Sequence, residues 1–153
     1  MGIELGQTPR MNENAGAELR VAGADEALEH LLDRELTEFN DEVTGRRKRT
    51  EFSVRVTGPD GETIAGLTGW TWGGLGGIEL LWVSEDHRRQ GWGSRLLSAA
   101  QEEARRRGCD RMIVSTYSFQ APSFYPKHGF LETGRVPGVP GGHEDVYFIK
   151  RLE

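Results

Sequence analysis

Apolar positions recur along this chain with two periods. Over residues 25–43, Leu28, Leu31, Leu32, Leu36 and Phe39 follow the three-to-four spacing of an amphipathic helix, broken once by Glu35. Residues 51–57 alternate instead, which predicts a strand with one buried face. Gly58-Pro59-Asp60-Gly61 is a turn, because proline presets one dihedral and glycine permits positive φ. Residues 62–72 return from it and complete a hairpin. After Gly73-Gly74-Leu75-Gly76-Gly77, residues 78–83 form an apolar strand. Residues 93–107 are helical again, with Leu96, Leu97, Ala100 and Ala104 on one face. The arginines Arg105, Arg106 and Arg107 suit the negative pole of that helix, and Gly108 stops it. A strand at 111–117, a short helix at 122–128 and strands at 130–136 and 146–152 follow. A further strand is predicted at 18–22, ahead of the first helix. The alternation of strands and helices places the chain in the α/β class.

Size and charge narrow the function. One hundred and fifty-three residues make one domain with a single core. We expect residues 1–16 to be a disordered arm and 17–153 to form the domain. No apolar run reaches transmembrane length, no signal peptide is evident, and the single cysteine, Cys109, excludes an internal disulfide; a cytoplasmic protein without membrane attachment is expected. Nineteen basic and 24 acidic side chains leave a net charge of −5. That balance disfavours nucleic acid as a partner and favours a cationic small molecule. The basic segment 45–49 reads as a solvated loop or as a contact for an anion.

The seam between the apolar strand and the second long helix carries the candidate chemistry. It reads Val83-Ser84-Glu85-Asp86-His87-Arg88-Arg89-Gln90-Gly91-Trp92-Gly93-Ser94. Glycines at the start of a helix expose main-chain N–H groups that have no partner within the helix, and the helix dipole adds positive charge there. Such a place seats a phosphate. A nucleotide P-loop is excluded, because Ser94-Arg95 stands where Lys-Ser or Lys-Thr is required. A dinucleotide fingerprint is only weakly matched, because Leu96 occupies the position of its third glycine. Arg88-x-x-Gly91-x-Gly93 remains. About thirty residues on lies Phe124-Tyr125-Pro126-Lys127-His128-Gly129-Phe130. From its residues alone, Tyr125 is either a core aromatic or a proton donor.

The two motifs together, in this order and with a strand between them, resemble those of the GNAT superfamily of N-acetyltransferases. The resemblance implies a mixed central sheet in the order β-α-(α)-β-β-β-α-β-α-β-β, its second helix falling in 43–49, with strands 78–83 and 111–117 splayed into a V. It implies acetyl-CoA as acyl donor and no metal. Arg88, Arg89, Gln90, Gly91, Trp92, Gly93 and Ser94 would hold the pyrophosphate, and main-chain groups of Leu81, Trp82 and Val83 would bond the pantetheine arm. Tyr125 occupies the general-acid position. Ser118 stands where the family often has a cofactor-binding asparagine, with Gln120 as a substitute, and Pro126 directly follows the tyrosine.

The acceptor amine must lose a proton. Glu79 is the candidate base, a carboxylate in an apolar strand, four residues from Val83 and so expected on its face and buried. The alternatives are a solvent-facing acid, an acid paired with an arginine, or deprotonation through water. His143, expected in the loop between the last two strands, is a second candidate at the acceptor pocket. Trp70 and Trp72 share a strand face and would either fill a core or hold a cationic substrate by their rings. The expected activity is transfer of acetyl to the primary amine of a small molecule, by direct attack in a ternary complex. A protein amine as acceptor and a non-catalytic acyl-CoA-binding module are the other readings. Homodimers are common in the family, but no exposed apolar stripe commits this chain to one.

Overall fold

A computed structural model describes residues 16–45 and 47–153. The chain divides into two compact units, Met1–Asn40 and Asp41–Glu153. Residues 1–15, most of the expected N-terminal arm, lie outside the described ones.

In the first unit, helix α1 starts at Glu26 and runs across the boundary to Val43. Asp25 caps it: its Oδ1 accepts the Leu28 N–H at 3.0 Å. Glu26 and Glu29 place negative charge in the first turn, where the dipole favours it. The strand expected at 18–22 does not form. Those residues are irregular, with Arg20 and Glu18 paired at 3.4 Å. Two apolar residues, Leu19 and Val21, offer little to bury, and a lone strand leaves its main-chain groups unpaired. Nor is there a second helix at 43–49. α1 ends at Val43, a turn follows, residues 47–49 are irregular, and Arg46 lies outside the described residues.

The second unit contains strands β1 (Thr50–Thr57), β2 (Thr63–Trp72), β3 (Leu75–Val83), β4 (Arg111–Tyr117), β5 (Leu131–Val139) and β6 (His143–Arg151). Helix α2 (Trp92–Arg106) joins β3 to β4, and a single turn, α3 (Phe124–Lys127), joins β4 to β5. The sheet order is β1-β2-β3-β4-β6-β5. All pairs are antiparallel except β3–β4, which is parallel, so the sheet is mixed, as expected.

α2 packs on one face of the sheet through Leu96, Leu97, Ala100 and Ala104, against Leu67, Met112, Val114, Val146 and Phe148. Each fully buried leucine contributes on the order of 1.5–3 kcal/mol. Gln101 is buried on the same helix and accepts Lys150 Nζ at 2.7 Å, so its carbonyl is satisfied. Gly108, at φ +89, ends the helix, and the Cys109 N–H returns to the Ala104 carbonyl at 2.9 Å. No described helix is long and apolar enough to cross a membrane.

Two irregularities position the site. β3 and β4 pair only at Leu75–Arg111, Gly76–Met112 and Gly77–Ile113, and then diverge. Just past that point the β2–β3 register slips: Thr68 faces Leu80, but Gly69 faces Ile78. Glu79 is therefore the extra residue of a β-bulge, which bends and twists β3 where it leaves β4.

Candidate active site

The loop from β3 into α2 begins with a 3-10 turn, Glu85–His87, in which Ser84 Oγ and His87 Nδ1 lie 2.7 Å apart. Gln90 Nε2 reaches back to the Asp86 carbonyl at 3.3 Å. Arg89 adopts φ +62, a left-handed conformation that costs a non-glycine residue about 1 kcal/mol. Gly91 follows at φ +81 as the residue before α2, with no side-chain cap on the helix. The first helical bond runs from the Arg95 N–H to the Gly91 carbonyl at 3.1 Å. The N–H groups of Trp92, Gly93 and Ser94 therefore have no partner within the helix. A Cβ at Gly91 would meet nothing among the described residues, so its conformation, not crowding, calls for glycine there.

This loop forms one end of a cleft of about 730 Å³ between the diverging strands. Its walls include Leu81, Trp82 and Val83 of β3, Val114, Ser115 and Thr116 of β4, and Phe124 and Tyr125 of α3. The Ser84 N–H bonds the Ile64 carbonyl across to β2 at 2.8 Å. By strand alternation, the main-chain groups of Leu81 and Val83 then point into the cleft, and those of Trp82 pair with β2. The Val83 carbonyl takes the Arg88 Nε at 3.2 Å.

Tyr125 is buried, its ring against Phe124, Phe130 and Phe148 with centroids 5.1, 5.7 and 5.7 Å away. Tyr125 lines the cleft, and its hydroxyl makes no hydrogen bond with another described residue. Burial alone pushes its ionisation up to about 12, so it stays protonated at neutral pH. α3 is tied to the loop: His128 Nε2 lies 3.0 Å from Ser94 Oγ, and Phe124 covers Gly93.

A cleft between splayed parallel strands, an uncapped helix start at its mouth and a protonated tyrosine in its wall form one arrangement. The acetyltransferase (GNAT) family matches the sequence over residues 18–130. The chain belongs to that family. An acetyltransferase of Agrobacterium fabrum is 30% identical over 129 residues, covering 84% of this chain and 94% of that protein. The blasticidin-S acetyltransferase of Streptomyces morookaense is 35% identical over 105 residues, covering 66% and 75%. A crystal structure of an acetyltransferase from Bacillus cereus superposes with a TM-score of 0.77 at 31% identity, covering 88% of this chain and 98% of that one.

Within this GNAT domain several side chains lie elsewhere than expected. Glu79 is exposed, not buried, and its carboxylate lies 3.6 Å from Arg49. The bulge is the reason: it puts Glu79 on the sheet face opposite Val83, and breaks the alternation that would have joined them. It still borders the cleft. Ser118 does not line the cleft; its Oγ accepts the Glu144 N–H at 3.0 Å and lies 3.2 Å from His143 Nδ1. Gln120 lines it instead, its Oε1 accepting Thr116 Oγ1 and the Tyr117 N–H at 3.2 and 3.1 Å.

His143 is the first residue of β6 rather than a loop residue. Gly141 and Gly142, at φ +84 and +78, turn the chain so tightly that both strands extend to it. The His143 ring packs on edge against Phe119, 4.8 Å away, and Phe119 separates it from the cleft. Trp70 and Trp72 share a face but lie outside the cleft. Trp72 Nε1 donates to the Arg47 carbonyl at 2.6 Å, and Trp70 carries the Arg49 guanidinium 4.3 Å over its ring. Cys109 is buried, and desolvation pushes its thiol up, away from nucleophilic use. Arg47 and Lys48 sit beside Arg106 and Arg107, at the far end of α2 from the glycine loop, about 20 Å along the helix.

The sequence reading missed Arg49, Phe119 and Thr116. The last two follow a motif only as neighbours of Ser118, and Arg49 sat inside a basic run with nothing to single it out.

Proposed function

We propose that the chain transfers an acetyl group from acetyl-CoA to the primary amine of a small molecule, by direct attack in a ternary complex. The observation that carries this reading is Tyr125: buried, protonated and without a hydrogen-bond partner among the described residues, in the wall of a cleft whose mouth is an uncapped helix start. The residues present fit the donor. The N–H groups of Trp92, Gly93 and Ser94, with the loop from Arg88 to Gly91, receive the pyrophosphate. Main-chain groups of Leu81 and Val83, left without a strand partner on that side, bond the pantetheine amides. Acetyl-CoA supplies a thioester-activated acetyl group.

The remaining steps belong to the chain. The cleft-facing N–H of Val83 polarises the thioester carbonyl, a preorganised contribution of about 3–4 kcal/mol. As the amine nitrogen bonds the acetyl carbon and the carbon–sulfur bond breaks, Tyr125 donates its proton to the departing sulfur. The amine proton leaves towards Glu79, the one carboxylate among the described residues lining the cleft, directly or through water. Two relatives support a small-molecule acceptor: the blasticidin-S acetyltransferase, and an aminoglycoside N(6')-acetyltransferase of Serratia marcescens, 34% identical over 61 residues, covering 39% of this chain and 42% of that protein.

Calorimetry and an amine screen test this together. The folded protein is expected to bind acetyl-CoA, and Gly91→Glu to weaken that binding at least about tenfold, because it sets a carboxylate where the phosphate sits. Thiol release is expected with a small amine. An absence of heat on adding acetyl-CoA to the folded wild type would overturn the reading; turnover only with peptides would move the acceptor to protein.

A further inference from the structure

A second hollow of about 520 Å³ opens on the face of the sheet away from α2. Six of the side chains that line it are Arg49, Glu51, Ser53, Thr68, Trp70 and Glu79. Register explains the grouping. Glu51 stands opposite Trp70 and Ser53 opposite Thr68, so each pair projects from one face, and Glu79 reaches the same face because it is the bulged residue. Glu79 alone of these six also borders the cleft. The hollow and the thioester cleft therefore meet at one carboxylate.

Arg49 lies in this hollow. Its guanidinium stacks over Trp70 at 4.3 Å and stands 3.6 Å from Glu79 Oε2. The second distance is an ion pair without a hydrogen bond, and the side chain is half exposed. Arg49 comes from the irregular segment before β1, so it can swing aside without disturbing the sheet. An aromatic face with carboxylates beside it is how a protein receives a cation. Here the cation is the protein's own. With Arg49 in place the hollow carries one net negative charge, and with Arg49 displaced it carries two.

We infer that Arg49 is an internal stand-in for part of the acceptor, and that the acceptor is a small dication. One ammonium sits at Glu79, facing the cleft, and is the group acetylated. The second positive group takes the place of Arg49 over Trp70. This rests on the acetyl-transfer reading and adds the class of amine. It also accounts for the Trp70 ring lying away from the thioester cleft: Trp70 recognises the remote charge and does not touch the reacting atoms.

The test uses 1,5-diaminopentane and pentylamine as probes, titrated calorimetrically into the protein saturated with CoA. Wild type is expected to bind the diamine at least tenfold more tightly than the monoamine. Arg49→Met removes the competing charge and is expected to tighten the diamine three- to tenfold, with the monoamine changed less than twofold. Trp70→Leu is expected to weaken the diamine at least fivefold. CoA affinity stays within twofold in both variants. Diamine binding that is absent, or that is unchanged or weaker in Arg49→Met, overturns the inference while leaving the transferase reading intact. Failure of CoA itself to bind overturns the transferase reading instead. Arg49→Met is a surface change, so the outcome does not depend on whether Trp70→Leu folds.

Discussion

The two ends of β3 behave as different structures. At its start, Leu75, Gly76 and Gly77 pair with β4, and the glycines let neighbours close in. A Cβ on Gly76 would lie 3.3 Å from Met112 and 3.4 Å from Ala104; one on Gly77 would fall inside the Trp70 ring. The Asp110 N–H bonds the Gly74 carbonyl at 2.9 Å, and Arg107 reaches Thr50 Oγ1 at 3.1 Å and the Glu51 carbonyl at 3.2 Å. These bonds tie this end of the sheet to α2 and β1. Beyond Gly77, the same strand no longer pairs with β4, and among the described residues Arg88 reaches its edge at the Val83 carbonyl. A binding surface needs unpaired main-chain groups, and a fold needs few of them. This sheet meets both needs by closing one end of a strand pair tightly enough that the other end can stay apart.

That contrast can be broken from either end. Tyr125→Phe acts only on the open end. It is expected to lower kcat by 10²- to 10⁴-fold with the KM for acetyl-CoA nearly unchanged. Its unfolding midpoint in urea is expected to stay within error of wild type, because the hydroxyl it removes has no hydrogen-bond partner among the described residues. A full rate in that variant would remove Tyr125 as the acid. Gly77→Val acts on the closed end. It forces side-chain atoms into the Trp70 ring, and is expected to destabilise the protein by about 1–3 kcal/mol in the same urea experiment. A stable Gly77→Val would mean that the closed end is not packed as described.

The smallest effect is alkaline. The folded Tyr125 ionises near 12, and the unfolded side chain near 10. Between those values the folded chain keeps a proton that the unfolded chain has lost, so stability falls as pH rises from 10 towards 12. In ultraviolet difference titration, one of the three tyrosines is expected to ionise near 12, and that component to vanish in Tyr125→Phe. Loss of the whole signal below pH 10 would place Tyr125 outside its apolar wall.

Much of the site was legible because it is local. The loop from Arg88 to Gly93 announces itself by glycines at the start of an amphipathic helix, and the observed φ of Gly91 and the bare N–H groups depend on a few adjacent residues. Phe124-Tyr125 and Gly129-Phe130 are likewise consecutive. The place of Ser118 was not legible, because its hydroxyl accepts the N–H of Glu144, twenty-six residues away, which no local pattern records. His143 was misread because two glycines made a tighter turn than expected and the strands ran on to meet it.

Glu79 marks the line between the two kinds of information. By itself the sequence determined that a carboxylate interrupts an apolar strand four residues before Val83, and period-two counting put them on one face. The tertiary structure decided otherwise. A bulge is a mismatch between two strands, so it is fixed by how β3 meets β2, and one extra residue reverses every side chain beyond it. The family, the order of most elements and the phosphate seat follow from residues that are neighbours in the chain. Which face Glu79 serves, and that Arg49 lies across from it on Trp70, follow only from pairing between strands, where contacts are made by residues distant in sequence.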